Sequence, residues 1–172
     1  MSNPEFSRPV RIDTLGDVPH AIAIEADKEE RRALSRRFAL MAIERLSAQA
    51  DVTRVGEAVV VAGRLKAMVT QACVASAEPV NAIIDEPFVL RFVPEGGGAD
   101  EEIELEESDL DIIAYEGSSV DLGEAAAQTL ALALDPFPRS PHADAALREA
   151  GVVDETGVGP FSALKALRDK LK

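Results

Sequence analysis

YEGSSVDLGEAAAQTLALALDPFPRSP, residues 115–141, holds a helix start, an amphipathic helix and a proline-bounded stop. Asp121 is suited to be the N-cap, and Glu124 stands at the third helical position, as in a capping box. Asp135-Pro136 ends the helix, because a residue that precedes proline avoids the helical region. One face consists mostly of small apolar side chains: Leu122, Ala126, Leu130, Ala133 and Leu134. The stretch predicts a helix that lies close to a sheet.

Three prolines follow this helix closely. Pro136, Pro138 and Pro141 hold the chain extended around Arg139. Such a stiff, exposed segment is either a rigid connector or a binding element that presents one cation.

Apolar residues alternate with other residues in several segments between residues 59 and 92, and this period of two predicts β-strands. An early strand lies at residues 20–26, and a short one, DIIAY, at residues 111–115. Between them four segments each align one apolar face: Val59 and Val61; Leu65, Ala67 and Val69; Val80, Ala82 and Ile84; Phe88, Leu90 and Phe92. Ala62-Gly63 and residues 77–79 interrupt them as turns or bulges would. Three or four antiparallel strands follow, in a small sheet for which a barrel-like closure is one option.

The first helix is predicted from Asp27-Lys28-Glu29-Glu30, which resembles a capping box. Leu34, Phe38 and Met41 recur at helical spacing, and a second ridge consists of Leu40, Ile43 and Leu46. These ridges carry the predicted helix to about residue 46. With the helix at 122–134, the class is α+β, a sheet packed against two main helices.

Length and local composition predict one α+β domain over residues 1–141, with an acidic loop at 94–109. Residues 142–158 form a polar linker with at most one short helix, at 143–150. Residues 159–172 form a basic amphipathic helix, which either docks on the domain or binds a partner.

Composition limits the function classes. The net charge is −13, and residues 81–156 hold 19 Asp/Glu against 3 Lys/Arg. A negative field attracts basic proteins and repels phosphates, or serves solubility alone. Aromatic residues make up 4% and Trp is absent, which disfavours an aromatic stacking platform for single-stranded nucleic acid. The N-terminus lacks a leader pattern, no stretch is long enough to span a bilayer, and the single Cys suits a reducing compartment, so the expected location is the cytoplasm.

No residue pattern indicates catalysis, a cofactor or a small-molecule substrate. His20 and His142 are far apart in sequence, and one cysteine supplies no metal-ligand spacing. Cys73 alternates with Leu65, Ala67 and Val69, so it is expected to face the core as a small hydrophobe. We therefore predict a protein that is not an enzyme and holds no metal.

Four arginines follow the first cap, at Arg31, Arg32, Arg36 and Arg37. Their ordinary role would be ion pairs with Asp27, Glu29 and Glu30 one turn away. The alternative is contact with phosphate groups.

Motifs from residue 31 to the C-terminus resemble the YceD family, the large ribosomal RNA subunit accumulation proteins. VTQACVAS (69–76) with Glu78-Pro79-Val80 is similar to V-T-L-x-C-x-R-C and its following strand. FVP (92–94), an acidic loop, VDLGE (120–124) and LALAL (130–134) are similar to F-x-P, acidic loop, D-L-x-E and L-A-L-P. GPFSALKAL (159–167) is similar to N-P-F-A-x-L-x-x-L. The motif positions are Cys73, Glu78, Pro79, Asp121, Leu122, Glu124, Pro136, Pro138, Arg139, Pro160, Phe161, Leu164 and Leu167.

The chain departs from the family pattern at two positions. Ser76 occupies the place of a second cysteine, so no metal site is transferred. Gln128 stands where a second glutamate is common, which weakens a paired-carboxylate role.

The resemblance implies a non-catalytic role in accumulation or processing of large-subunit (23S) ribosomal RNA in the bacterial cytoplasm. The partner would be the ribosomal RNA precursor or a basic ribosomal protein. Candidate RNA contacts are Arg31, Arg32, Arg36, Arg37, Arg64 and Lys66. The alternative is an acidic adaptor or chaperone that uses residues 100–111 to shield a basic partner protein without touching RNA.

Overall fold

The computed structural model describes residues 4–96 and 111–152. The elements, in chain order, are β1 (Pro9–Arg11), a 3-10 turn (Ile12–Thr14), β2 (His20–Glu25), α1 (Lys28–Arg37), β3 (Ala42–Val55), β4 (Ala58–Ala72), β5 (Pro79–Pro94), β6 (Asp111–Tyr115), β7 (Ser119–Asp121), α2 (Leu122–Ala133) and α3 (Ala143–Glu149). The chain divides into two compact units: Met1–Gln71 with Asn81–Asp135, and Ala72–Val80 with Pro136–Lys172. The class is α+β, as predicted. The predicted domain limits at residues 141 and 159 stay predictions.

Five strands form the main sheet in the order β2-β3-β4-β5-β6, and β1 pairs with β7 in a separate two-stranded sheet. The β2–β3 and β3–β4 pairs are antiparallel. β6, the predicted DIIAY strand, runs parallel to β5, with Leu90 opposite Asp111. The sheet ends at β2 and β6, and the described residues form no closed barrel. The barrel-like option is therefore wrong.

The four predicted strand segments between residues 59 and 92 are two long strands, β4 and β5. The predicted faces are confirmed, because Val59, Leu65 and Phe92 are all buried. The interruption predicted at Ala62-Gly63 is wrong, since β4 continues through it. A Cβ on Gly63 would lie 2.4 Å from the Gln49 carbonyl oxygen and 2.7 Å from the Ala50 Cβ. Glycine is there because β3 comes too close for a side chain.

Helix α1 begins as predicted but is shorter, which corrects the helix expected to reach Leu46. It ends at Arg37, and Ala39 takes a left-handed conformation with φ of 53° before β3 begins. β3 has a register shift between Ile43 and Arg45, typical of a β-bulge. The extra residue puts Ile43 and Leu46, three apart, on the same buried side. A bulged strand thus imitates helical spacing.

Helix α2 matches its prediction closely. Asp121 caps it by accepting from the Gly123 and Glu124 amides, and the helix ends at Ala133. Leu122, Ala126 and Leu130 are buried. A Cβ on Gly123 would lie 2.5 Å from the Phe6 carbonyl oxygen, so the N-terminal segment passes directly over the first turn.

Helix α3 falls within the range predicted for the short helix at 143–150. The predicted terminal helix, with Pro160, Phe161, Leu164 and Leu167, lies outside the described residues, as does the acidic loop from residue 97 onward.

Gly63→Ala should lower the free energy of unfolding by about 1–3 kcal/mol, because the new methyl group would push against β3 backbone. Urea unfolding followed by circular dichroism measures this. Ala62→Ser, at the exposed neighbouring position, should change stability by less than about 0.5 kcal/mol. Equal midpoints for the two variants would contradict the close approach.

Candidate nucleic-acid interface

The first turn of α1 is fixed by two carboxylates. Asp27 accepts from the Glu29 and Glu30 amides, and the Glu30 carboxylate accepts from the Asp27 amide at 2.8 Å, so the capping box is confirmed. The Glu30 carboxylate also accepts hydrogen bonds from both terminal guanidinium nitrogens of Arg8, with nitrogen–oxygen distances of 2.7 and 2.9 Å. The pKa of Glu30 lies below its ordinary value, mainly because Arg8 donates to the carboxylate. The Asp27 amide and the Arg8 charge lower it further, whereas desolvation raises it. Asp27 and Glu30 are therefore occupied, whereas the exposed side chain of Glu29 has no hydrogen bond or ion pair within the described residues.

Two of the four α1 arginines serve the fold. Arg37 donates to both Glu124 oxygens at 2.8 and 2.7 Å, and to Glu5 at 3.1 Å. The bond to Arg37 is the main cause of a lowered pKa for Glu124. Arg31 donates to the Ala26 carbonyl. These partners lie outside the helix, in place of the pairs with Asp27, Glu29 and Glu30 expected from the sequence.

Arg32 and Arg36 differ from these two. Both side chains are exposed, and neither has a hydrogen bond or ion pair with any residue in the described part of the chain. Lys28, also exposed and equally without such a partner among those residues, precedes Arg32 by four positions. Residues four apart lie above one another on a helix. Lys28, Arg32 and Arg36 therefore form one row along α1, which we call the α1 cationic row.

Arg64 and Lys66 lie elsewhere, on the outer face of the sheet. They alternate along β4 with buried Leu65 and Ala67, so they point away from the core. Arg64 donates to Asp85 at 2.6 Å, while exposed Lys66 has no such bond within the described ranges. A trough of about 790 Å³ lies on this face, where Met68 and Ile83 add apolar surface. Of the six candidate cations, Arg32 and Arg36 thus lie together on α1, Arg64 and Lys66 lie together on β4, and Arg31 and Arg37 are bound within the fold.

Arg37→Ala should lower the free energy of unfolding by about 1 kcal/mol, because the variant cannot form the partly buried bidentate pair with Glu124. Arg36→Ala removes the same charge one position away and should leave stability within about 0.5 kcal/mol. Chemical unfolding at constant ionic strength compares the two. A larger destabilisation by Arg36→Ala would refute the division into structural and exposed arginines.

The acidic residues at the start of α2 also have structural roles. Asp121 caps the helix and accepts from the Arg8 amide at 2.8 Å. Glu124 binds Arg37 and the Gln128 amide group, so its side chain does not complete the capping box suggested by the sequence. Both carboxylates therefore have structural partners.

Cys73 is buried, as predicted, but its surroundings are polar. Its sulfur accepts from the Ser140 amide at 3.3 Å and from the Ala75 amide at 3.5 Å. The pKa of Cys73 is lowered from 9.0 to about 6. The largest cause is the hydrogen bond from the Ser140 amide, followed by the Ser76 hydroxyl and then, against desolvation, the Ala75 amide. Glu78 accepts from Ser140 at 2.7 Å and from Ser76 at 3.1 Å, and both bonds lower its pKa. The cysteine is therefore a hydrogen-bonded anchor rather than a plain hydrophobe.

The Cys73 thiol should titrate near pH 6 in the folded protein and near its ordinary value after unfolding. Because the folded pKa is the lower one, ionisation stabilises the fold fully above about pH 9, and this contribution disappears as the pH falls through about 6. Ultraviolet absorbance of the thiolate measures the titration. Ser76→Ala should raise the midpoint by removing a donor; a folded midpoint at the unfolded value would refute the sulfur hydrogen bonds.

The remaining motif residues fall mostly in the second unit. Pro79 begins β5 and is exposed, Pro138 is buried, and Pro136 is exposed. Arg139 is exposed and lies 3.4 Å from Asp144.

Sequence reasoning missed three residues of these sites. Ser140 and Arg8 carry no local signal, since their roles depend on partners that are distant along the chain. Lys28 could have been found by its spacing of four from Arg32.

The described residues contain no group of three or more His, Cys, Asp or Glu side chains placed to hold a metal ion. Among the helices that the structure describes, none has the length and apolar character to cross a membrane.

Comparison with known proteins identifies a family. The family model described as large ribosomal RNA subunit accumulation protein YceD matches residues 61–168, well over half of the chain. Searches of curated proteins and of solved structures found no match.

Proposed function

Since the chain belongs to the YceD family, we propose that it is a non-catalytic factor that supports large-subunit ribosomal RNA accumulation by binding the RNA precursor directly. The family name supports the link to this RNA, and direct contact is the step that we add. Such a role would be performed in the bacterial cytoplasm and needs no cofactor.

The α1 cationic row is the observation that carries this proposal. Its three side chains recur every four residues, which corresponds to a rise of about 6 Å along the helix. Asp27 and Glu30 are occupied by the cap and by Arg8, so they do not neutralise the row. The exposed side chain of Glu29, three residues before Arg32, has no hydrogen bond or ion pair within the described ranges. Arginine guanidinium groups bind phosphate oxygens in bidentate geometry, so Arg32 and Arg36 suit an RNA backbone.

Lys66 and Arg64 supply a second, weaker candidate surface. Arg64 already binds Asp85, and Glu25 also lines the trough. Asp85 and Glu25 thus partly balance the positive charge of this face. We expect it to contribute less to RNA binding than the α1 cationic row.

A specific observation favours the acidic adaptor as the alternative. Glu95 and Glu116 lie on either side of the acidic stretch, and the pKa of Glu95 is raised first by a hydrogen bond with the Glu116 side chain and then by the negative charge of Glu116. A raised carboxyl pKa beside another carboxyl reflects a locally negative potential. That potential would attract a basic ribosomal protein and repel RNA.

The test is binding of a transcript of the large-subunit RNA precursor at several salt concentrations, measured by fluorescence anisotropy. Arg32→Ala/Arg36→Ala should weaken binding and lower the slope of log affinity against log salt by about 0.7–0.9 for each phosphate that the variant no longer neutralises.

The matched control is Arg11→Ala/Arg54→Ala, which removes two exposed arginines from other elements. It should bind nearly as the unmodified protein does. Equal weakening in both double variants would show that only overall charge matters. Absence of RNA binding, with capture of basic ribosomal proteins that depends on the carboxylates of residues 100–111, would establish the adaptor alternative instead.

A further inference from the structure

Strand β2 is an open edge of the main sheet. It pairs with β3 on one side and with no strand of the described residues on the other. The Ala26 amide donates to the Leu46 carbonyl at 3.0 Å, so Ala26 directs its backbone toward β3. Antiparallel strands alternate between residues that exchange hydrogen bonds and residues that do not. Because the β2–β3 register is continuous, Ala21 and Ala23 direct their N–H and C=O groups away from β3.

These four backbone groups of Ala21 and Ala23 have no partner within the described ranges, and both alanines are exposed. The next carbonyl that points the same way, that of Glu25, already accepts from the Arg8 guanidinium at 3.1 Å. Unpaired N–H and C=O groups along a sheet edge are a template for another extended chain. Residues 21–24 therefore present the backbone pattern that a further strand needs.

The devices that usually protect a sheet edge are missing from this part of β2. Natural edge strands are shielded by lysine side chains, prolines or β-bulges. Residues 21–24 read Ala-Ile-Ala-Ile, and their register with β3 has no bulge. The side chains of Ile22 and Ile24 pack against the core, so the outer face of residues 21–24 carries only two methyl groups. A neighbouring strand can approach here without meeting a charged or bulky side chain.

A depression of about 490 Å³ lies beside this edge on the outer face of the sheet. The side chains that line it come from three adjacent strands: Ala21 and Ala23, Gln49 and Asp51, Ala62 and Arg64. Asp51 lies opposite Ala21 on one side and opposite Ala62 on the other. The small side chain of Ala21 thus leaves Asp51 accessible from the edge.

Asp51 is the uncompensated charge of this depression. Its exposed carboxylate has no hydrogen bond or ion pair within the part of the chain that the structure describes. Arg64, the cation that lines the same depression, already donates to Asp85 at 2.6 Å. A strand added to β2 would lie about 10 Å from β3, since neighbouring strands are about 4.8 Å apart. A lysine or arginine side chain of that strand is long enough to cross Ala21 and reach Asp51.

We propose that residues 21–24 of β2 are a docking site for an extended, basic segment of a partner protein. The segment adds to the main sheet as an antiparallel strand beside Ala21 and Ala23, and one of its lysine or arginine side chains binds Asp51. In strand addition, main-chain hydrogen bonds supply the affinity and side-chain contacts supply the specificity. This contact does not involve the α1 cationic row and goes beyond the proposed function.

Charge favours this occupant over RNA and over a second copy of the chain. RNA would bring phosphates to the Asp51 carboxylate, and it lacks the amide groups that pair with an edge strand. Two copies joined through β2 would offer Asp51 only the outer side chains of another β2, which are alanines and Glu25. The net charge of −13 also makes two copies repel each other.

The probe is a fluorescent peptide of alternating lysine and valine, about six residues long, as a typical strand is. Its lysines would lie over the outer face, and its valines beside Ile22 and Ile24. Fluorescence anisotropy should show binding, which methylation of the lysine amides should abolish, because these amides face β2 in an antiparallel pair. Methylation of the valine amides, which face away, is the matched control and should leave binding nearly unchanged. Equal binding of the two methylated peptides, or of a peptide with glutamate in place of lysine, would contradict the proposal.

Amide hydrogen exchange followed by NMR locates the contact. At a peptide concentration of about 100 Kd, the Ala21 and Ala23 amides should exchange about 100-fold more slowly, because only the free edge exchanges. The Ile22 and Ile24 amides face β3 and should be protected with and without peptide. Binding that leaves the Ala21 and Ala23 amides unprotected would refute the site.

Variants separate the backbone from the charge. Ala23→Pro removes an edge amide that the fold does not use and should weaken peptide binding about 10-fold or more, whereas Ala23→Ser keeps this amide and should bind nearly normally. Asp51→Asn should weaken binding about 2- to 5-fold. Glu149→Gln, which neutralises an exposed carboxylate on α3, should leave binding unchanged.

Other occupants of the edge would be recognised in the same exchange experiment. Protection of Ala21 and Ala23 that rises with protein concentration in the absence of peptide would overturn the proposal in favour of a second copy. Protection by a transcript of the large-subunit RNA precursor, and not by the peptide, would overturn it in favour of an RNA contact.

Discussion

The close pairing of β3 with β4 is the constraint on which the main unit depends. The two strands run antiparallel over most of their length, and Ala50 lies opposite Gly63 where the backbones are nearest. This register turns Leu65 and Ala67 inward and leaves Arg64 outward. A slip by one residue would exchange the two faces along the whole strand. The core and the cationic outer face are thus set by a single register.

Around this sheet, ion pairs divide the arginines by role. Arg37 joins α1 to the first turn of α2 through Glu124, and Arg8 joins the N-terminal segment to α1 through Glu30. Each of these pairs joins residues that are distant along the chain. Arg32 and Arg36 have no such partner among the described residues, so their charge stays exposed to solvent.

The described part of the second unit contains a small polar cluster. Cys73, Ser76, Glu78 and Ser140 exchange hydrogen bonds across a tight turn. Buried polar groups stabilise only when they are satisfied, so the cluster fixes one geometry for the segment that it holds.

Local chemistry let the sequence determine much of this protein: both helix starts, the end of α2 before Pro136, and the inward faces of the long strands. The sequence also indicated the YceD family, because its motifs occur in the family's order. The end of α1 was not predictable, because the bulge after Ile43 gives a strand helical spacing. Only the tertiary structure decided which arginines are occupied, since Glu5 and Glu124 are far from Arg37 in sequence. Spacing along the chain reports local periodicity, whereas the partner of a long charged side chain depends on which elements the fold brings together.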